Sequence, residues 1–312
     1  MKRKLNHWSN YWKAGNLTSL PQDFQENYKG EIGLFWENTF SLQPKGSNIL
    51  DLCTGNGAIA LLAGVYSANN NTAFKVTGVD AANINKENIV AKYSHLKVLL
   101  DNLQFIANSR IENINFPAAS FDLITSQYGI EYCDWQESAQ QVSKLLKPGG
   151  SLVFISHSSS TAILSFMEQE QLEYERLQNF GLFSTLSNFL KNKSSHKETQ
   201  KKLNRIAKNL QKLHSTKPSD LYRNILAFLQ KINSFDKATF KHFEKQIEFQ
   251  YKQYKFAFAR LQDIVWVSNK IKNKPDWYLI YEREGLQLVE QGTILQDGRH
   301  NAGNYYKFVQ SK

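Results

Sequence analysis

The sequence predicts an α/β protein: a mostly parallel sheet with an antiparallel last strand, carrying a long helical insertion. Three observations lead there. From Asn48 to His157, short β-type runs alternate with helical stretches, the texture of βαβ units under a sheet covered on both faces. After Ser158 the periodicity becomes wholly helical, and near Gly285 it returns to β. The chain has 312 residues, 41% of them hydrophobic, enough to bury such a sheet and an accessory module.

The elements follow in chain order. Residues 1–47 read as an aromatic-rich helical cap: Trp8, Tyr11 and Trp12 are followed by Phe24, Tyr28, Phe35 and Trp36. Trp8 and Trp12 stand four apart, which puts them on one stripe of a helix and suits core packing. Strands are expected at Asn48–Leu52, Ala73–Asp80, Leu103–Asn108, Phe121–Gln127 and Ser151–His157, with helices at Ala58–Ala68, Asn85–Leu100 and Gln136–Leu146 between them. Pro148-Gly149-Gly150 is a turn signal that stops the third helix and feeds the fifth strand. Beyond it, three apolar stripes recur at helical spacing: Leu203 to Leu213, Leu221 to Ile232, and Phe240 to Leu261. Pro218-Ser219, Ser234 and Asp236 punctuate them as helix starts. The aromatics of the last stripe read as a packing seam rather than a ligand channel. At the end, Gly285–Gly292 and Asn304–Val309 read as two strands joined across the turn-rich Gln296–Gly303. Residues 48–158 and 276–312 thus form the sheet core, and residues 159–275 the insertion.

Charge sets the insertion apart. The chain carries a net +10, yet Leu182 to Arg260 alone holds seventeen Lys or Arg against five Asp or Glu. The rest of the chain is slightly acidic. Two readings stand side by side: a solvated helical face, or a landing surface for something acidic such as an acidic protein, RNA or an anionic membrane. No apolar run reaches the roughly 20 residues of a bilayer span, so no integral membrane segment is expected. Basic residues open the chain without an apolar stretch behind them, so no secretory signal is read. The two cysteines, Cys53 and Cys133, cannot build a zinc cluster or a disulfide framework, and no metal is expected. A reducing, cytoplasmic setting fits them.

Ile49 to Ala63, ILDLCTGNGAIALLA, carries the strongest chemical signal. A buried strand runs through Gly55-Asn56-Gly57 straight into a helix, where glycine admits a ligand close to the backbone and the helix start offers free N–H donors. A second strand ends at Asp80, placed to accept hydrogen bonds from both hydroxyls of a ribose. A dinucleotide site would show a third glycine at Ala60, and it would not set Asp51 beside phosphates. The turn therefore suits a cationic, nucleoside-containing cofactor.

This stretch resembles motif I of the class I S-adenosylmethionine-dependent methyltransferases, acid-x-Gly-x-Gly-x-Gly, through Asp51, Gly55 and Gly57, with Cys53 in place of the first glycine. Two more segments are similar to that family: NINFPAASFDLITSQYGIEY around strand four, and LLKPGGSLVFISH ahead of strand five. The resemblance implies a Rossmann-like class I methyltransferase sheet and S-adenosylmethionine as cofactor, with S-adenosylhomocysteine as product. It also implies that Asp51 and Cys53 lie near the methionine portion, Gly55 and Gly57 against the cofactor, and Asp80 with Ala81 at the ribose. The aligned loop puts Arg110 where many members carry an acid for the adenine amino group. Arg cannot accept that hydrogen bond, so recognition passes to the backbone near Ile111, or to Asn108 or Glu112. The aromatic cap would face the sulfonium, where cation–π attraction is available.

Catalytic candidates sit at the ends of strands four and five. Gln127, Tyr128 and Glu131 would shape the methyl-transfer pocket, and His157 is a candidate base. Their plainer readings are packing for Tyr128 and Tyr132, a helix cap for Glu131 and a structural histidine. Cys133 lacks the Pro-Cys context of covalent pyrimidine methylation, and no Asp/Asn-Pro-Pro-Tyr/Phe run follows strand four. The expected function is in-line methyl transfer to a protein side chain such as lysine. RNA and a small metabolite stay open as acceptors, as does a catalytically silent cofactor-binding protein. The sequence leaves the oligomeric state open.

Overall fold

The structure is a computed structural model that describes residues 5–19, 26–158 and 162–311; Phe24 lies outside them. Among the described residues, seven strands make one sheet: β1 (Asn48–Leu52), β2 (Lys75–Val79), β3 (Gln104–Ile106), β4 (Phe121–Gln127), β5 (Leu146–Ser156), β6 (Leu286–Gln296) and β7 (His300–Gln310). Their order is β3-β2-β1-β4-β5-β7-β6. The first five are parallel, and β7 runs antiparallel to both β5 and β6. This is the mostly parallel sheet with an antiparallel last strand that the sequence predicts.

Helices precede and cover it: α1 (Asn6–Lys13), α2 (Gly30–Ser41), α3 (Ala58–Asn70), α4 (Lys86–Lys92), α5 (Lys97–Asp101) and α6 (Trp135–Leu145). Strand β1 shows why both faces are buried. Leu50 and Leu52 join one apolar cluster with Phe154, Trp277, Tyr281 and Phe308, while Ile49 joins the other with Trp36, Phe40 and Ile59. Successive side chains of a strand point to opposite faces, so Asp51 shares the side of Ile49. At the centre of the first cluster the Phe154 ring lies 5.5 Å from Trp277, 5.7 Å from Tyr281 and 5.1 Å from Tyr306.

Several boundaries differ from the sequence reading, each for a local reason. Strand β2 starts at Lys75 rather than Ala73, because Asn71 and Ala73 both hold left-handed φ values and the chain is still turning. The single helix expected over Asn85–Leu100 is broken into α4, a 3-10 turn at Ser94–Leu96, and α5. Tyr93 leaves helical geometry with φ −133° and buries its ring in the core. Strand β5 begins at Leu146, which pairs with Phe121 before the register jumps to Ser151 opposite Leu123. Gly149, at φ +75°, lies in that irregular stretch. The strands β6 and β7 run longer than read, and only Asp297, Gly298 and Arg299 remain between them. Asp297 and Gly298 take φ of +52° and +64°, the left-handed geometry of a tight hairpin.

Contacts divide the chain into two compact units, Met1–Thr161 with Trp266–Lys312, and Ala162–Val265. The second is helical: α7 (Ala162–Asn179), α8 (Leu182–Leu190), α9 (His196–Thr216), α10 (Asp220–Asn233), α11 (Lys237–His242) and most of α12 (Glu244–Asn273). The first unit resumes at Trp266, inside α12, ten residues before the 275/276 break drawn from sequence. The stripes read from sequence form the core of the second unit, with Leu203, Ile206, Leu210, Ile225 and Phe240 nearly or fully buried. Ser195 and Glu198 close a capping box on α9, while Ser219 and Asp236 cap α10 and α11. Ser234 instead ends α10 as its C-terminal cap. A short α13 (Ile280–Arg283) leads into β6. No helix among the described residues is long and apolar enough to cross a membrane.

Candidate active site

Strand order reverses between β1 and β4, so the connections leaving their carboxyl ends go opposite ways and open a crevice. The first connection is the turn from Cys53 to Gly57. Gly55 and Gly57 hold φ of +54° and +83°, and Gly57 is the N-terminal cap of α3. A Cβ built on Gly55 would come within 2.5 Å of the Trp12 indole, and one on Gly57 would strike the Phe105 ring. Both positions need glycine for conformation and for space.

Two buried carboxylates hold this turn. Asp80, just past β2, accepts the Gly55 N–H on Oδ2 and the Ala82 N–H on Oδ1, each at 2.7 Å. Burial raises its carboxyl to about 6, against the lowering effect of those two bonds. Asp51, 1% exposed at the end of β1, accepts the Thr54 hydroxyl on Oδ2 and the Thr125 hydroxyl, 2.9 Å away, on Oδ1. Burial pushes it up to about 7, because neutral hydroxyls compensate a charge only partly. Its oxygens are thus engaged within the protein, as a strut joining β1, the turn and β4.

The aromatic N-terminus is tied to the same turn. Asn56, fully buried, donates through Nδ2 to the carbonyls of Trp12 and Asn16 at 2.8 and 2.7 Å. Trp12 clusters with Ala82, Ile84, Trp8, Tyr11 and Phe105. A cleft of about 260 Å³ lies beside the turn, lined by Gly55, Asn56, Ile84, Asn85, Lys86, Glu87, Ile89, Phe105 and Ala107. Asp80, Ala81, Arg110, Ile111 and Gln127 are not among its walls. Ala81 and Arg110 are partly exposed, whereas Ile111 is buried in the core.

The second connection carries the catalytic candidates. Gln127 ends β4, and its Oε1 accepts the Trp36 indole N–H. Tyr128 holds φ +52° and donates its hydroxyl to the Ala302 carbonyl, with burial raising its phenol well above the usual range. Glu131 lies in a 3-10 turn, Ile130–Tyr132, and is wholly buried. Its Oε1 accepts both the backbone N–H of His157, at 2.9 Å, and the ring Nδ1–H, at 2.7 Å. With Nδ1 engaged by Glu131, Nε2 is the ring nitrogen left for a further partner, on a ring 23% exposed. Glu131 Oε2 has no hydrogen-bond partner among the described residues. Tyr128 and Tyr132 flank the imidazole, with ring centroids at 4.9 and 5.7 Å.

Of the residues singled out from sequence, Asp51, Cys53, Gly55, Gly57, Asp80, Gln127, Tyr128, Glu131 and His157 lie at or just beyond the carboxyl ends of β1, β2, β4 and β5, while Arg110 and Ile111 follow β3. Sequence reading misses the ties between them. Thr54, Asn56 and Thr125 carry no signal beyond being small or polar, and the bonds they make join residues up to 74 positions apart.

The Asp51 geometry sets a pH dependence of stability. A buried carboxyl with a folded value near 7 and an ordinary value of 3.8 binds more protons folded than unfolded across that window. Stability therefore falls as pH rises from about 4 to 7. Between pH 5 and pH 8 the Asp51 contribution is a loss on the order of 2–3 kcal/mol. Asp51→Asn should flatten this fall in urea unfolding measured at both pH values, and an unchanged slope would refute the assignment.

A family profile described as Methyltransferase domain matches residues 24–241, well over half of the chain. None of the curated proteins compared with it matches. Among solved structures, the chain is similar to one in the complex that contains the Haloferax volcanii Trm112 methyltransferase activator, at 10% identity over 98% of both chains and a TM-score of 0.48. It is also similar to the YcgJ protein of Bacillus subtilis, at 15% identity over 90% of this chain and 98% of that one, with a TM-score of 0.36. Geranyl diphosphate C-methyltransferase from Streptomyces coelicolor A3(2) is similar at 16% identity over 41% of this chain and 45% of that one, with a TM-score of 0.34. The chain spans under half the length of that enzyme. By the profile match, the chain belongs to the class I S-adenosylmethionine-dependent methyltransferase family.

Proposed function

We propose that this chain methylates an acceptor that arrives protonated, with His157 as the base and Glu131 as the residue that orients it. The hydrogen bond between His157 Nδ1 and the buried Glu131 carries the reading. It holds an imidazole at the carboxyl ends of β4 and β5, across the crevice from the glycine turn. A carboxylate behind a histidine stabilises the imidazolium that forms when Nε2 takes a proton.

The residues present fit the cofactor. Glycine at positions 55 and 57 lets the turn backbone lie close under the Trp12 and Phe105 rings beside the cleft, and Asp80 keeps lone pairs for two ribose hydroxyls beyond the two N–H bonds it already accepts. Gln127 Nε2 and Glu131 Oε2 are both buried without a hydrogen-bond partner among the described residues, so each can still take a polar group brought by a ligand. Cys53 and Ala81 would lie alongside, with the backbone near Arg110 and Ile111 at the adenine. Asp51 serves as the strut that keeps the turn in place. S-adenosylmethionine supplies an electrophilic methyl group whose thioether leaving group needs no proton, so proton handling falls on the acceptor alone. Tyr128, whose phenol burial raises well above the usual range, packs against the imidazole with ring centroids 4.9 Å apart.

A lysine amine on an acidic protein fits this chemistry, because it is charged at neutral pH and must lose a proton before attack. The helical unit supplies the matching charge. Lys201, Lys202, Lys208 and Lys212 are all exposed on α9. RNA and small metabolites are the outcomes against which the assay is set.

Transfer of labelled methyl into fractionated lysate, with protease and nuclease arms, tests the acceptor class. Label that survives protease and is lost with nuclease would replace protein by RNA. His157→Ala should lower turnover by about a hundredfold or more while S-adenosylhomocysteine affinity holds, and Glu131→Gln should follow it. Equal losses in both quantities would make the pair structural. Reversing the four lysines to glutamate should weaken the acceptor and not the cofactor, and wild-type turnover in that variant would remove the surface from the account.

Asp80 generates a separate expectation. Ribose hydroxyls donate to its ionised form, so affinity for S-adenosylhomocysteine should be full above pH 7 and fall as pH drops through about 6. Asp80→Asn should weaken binding by roughly 1.5–3 kcal/mol and remove that step. Calorimetry at pH 5.5 and 7.5 decides it.

A further inference from the structure

The two cysteines, distant in sequence, meet in the fold. Cys53 Sγ lies 3.7 Å from Cys133 Sγ across 80 residues, and both side chains are partly exposed. They are the only two in the chain, so neither has a competing partner within it. Cys53 follows β1 as the first residue of the turn, with φ +55°, a left-handed conformation that strains any side chain with a Cβ. A glycine there would be easier for the backbone. Its Cβ is housed only because position 129 is glycine, since a Cβ on Gly129 would overlap it. Cys133 follows the 3-10 turn that carries Glu131, and its carbonyl accepts Lys270 Nζ at 3.1 Å. Packing alone does not ask for a thiol in a strained position facing a second thiol.

We propose that Cys53 and Cys133 form a dithiol modification site that a peroxide converts to a disulfide, stapling the glycine turn to the loop after β4. One thiol, best Cys133, attacks the peroxide O–O bond and becomes a sulfenic acid, releasing water or an alcohol. Cys53 sulfur then displaces the sulfenic oxygen, which leaves as a second water carrying the Cys53 proton. Two sulfurs together lose two electrons, and the peroxide gains them. The hydrogen bond with Cys133, and then burial, hold the Cys53 thiol well up, which suits it to the second step rather than the first. A sulfur–sulfur bond of about 2.05 Å requires the two atoms to close by roughly 1.7 Å, within reach of side-chain rotation and a small loop shift.

The consequence rests on the cofactor reading given above. The staple joins the two connections that bound the crevice and draws in Cys133, two residues from Glu131. Oxidised protein should therefore bind the cofactor poorly.

The test uses the full chain, peroxide, intact mass, thiol counting and calorimetry with S-adenosylhomocysteine. Oxidation should remove two hydrogens from the mass and both free thiols, leave the chain unlinked to others on a non-reducing gel, and weaken binding by about tenfold or more, about 1.4 kcal/mol. Dithiothreitol should restore it. Cys133→Ser, treated alike, should keep the affinity it has before peroxide. Two free thiols after peroxide, added oxygen in place of lost hydrogen, or linked dimers would overturn the site, and unchanged affinity of the disulfide form would overturn the switch. Failure of the reduced wild type to bind S-adenosylhomocysteine would instead fall on the cofactor reading, with mass and thiol count still deciding the disulfide.

Discussion

A buried carboxylate at the point where the sheet changes direction organises this molecule. Asp51 takes one hydroxyl from Thr54 in the turn and another from Thr125 in β4. Neighbouring bonds repeat the connection: Ser126 Oγ donates to the Leu52 carbonyl at 2.8 Å, and Thr54 N–H to the Val79 carbonyl at 3.0 Å. The turn is thus pinned from β2, from β4 and from its own strand. A left-handed glycine turn has little stability of its own, and these ties select one conformation of it. Burying a carboxyl without a cation is costly, and the rise to about 7 measures that cost. Positioning, not stability, is what the arrangement gains.

Much of the sheet was legible because parallel strands buried on both faces leave continuous apolar runs. The expected strands Asn48–Leu52 and Phe121–Gln127 coincide with β1 and β4 at both ends. Helix α3 was clear from its glycine start and its unbroken apolar run. Where the reading slipped, tertiary packing overrode a local pattern. Tyr93 fits a helical stripe by spacing, yet its burial draws the chain out of helix there. Likewise Gln296–Gly303 looks like a loop by composition, but pairing with the partner strand carries β6 and β7 almost through it.

The candidate site was legible in proportion to how local its signals are. Gly55, Gly57 and Asp80 announce themselves by residue type at the end of a strand. Glu131 and His157 stand out in the sequence as separate candidates, and nothing in their spacing of 26 residues says that they share a hydrogen bond. The same holds for Asn56, which sits between two glycines and reads as turn filler. Only in three dimensions does its amide bind the end of the aromatic helix. The pairing of Cys53 with Cys133 is likewise invisible until β1 and β4 are neighbours.

The two sides of the crevice differ in how completely they are satisfied. On the side of the turn, Asp51 and Asp80 each have both oxygens engaged by donors of the protein, so this side is rigid before any ligand arrives. On the side of β4, Glu131 spends Oε1 twice on His157 and leaves Oε2 unpartnered in a fully buried position. An orphaned carboxylate oxygen costs stability that a fold retains only under some other constraint. A rigid side suits a ligand of fixed structure. An unsatisfied side suits a neighbour that brings a donor of its own, since the open oxygen lies on the same carboxyl group that holds the imidazole. The two sides of the switch point therefore differ chemically: one is closed by donors of the protein, and the other holds a buried oxygen that a proton or a further donor would satisfy.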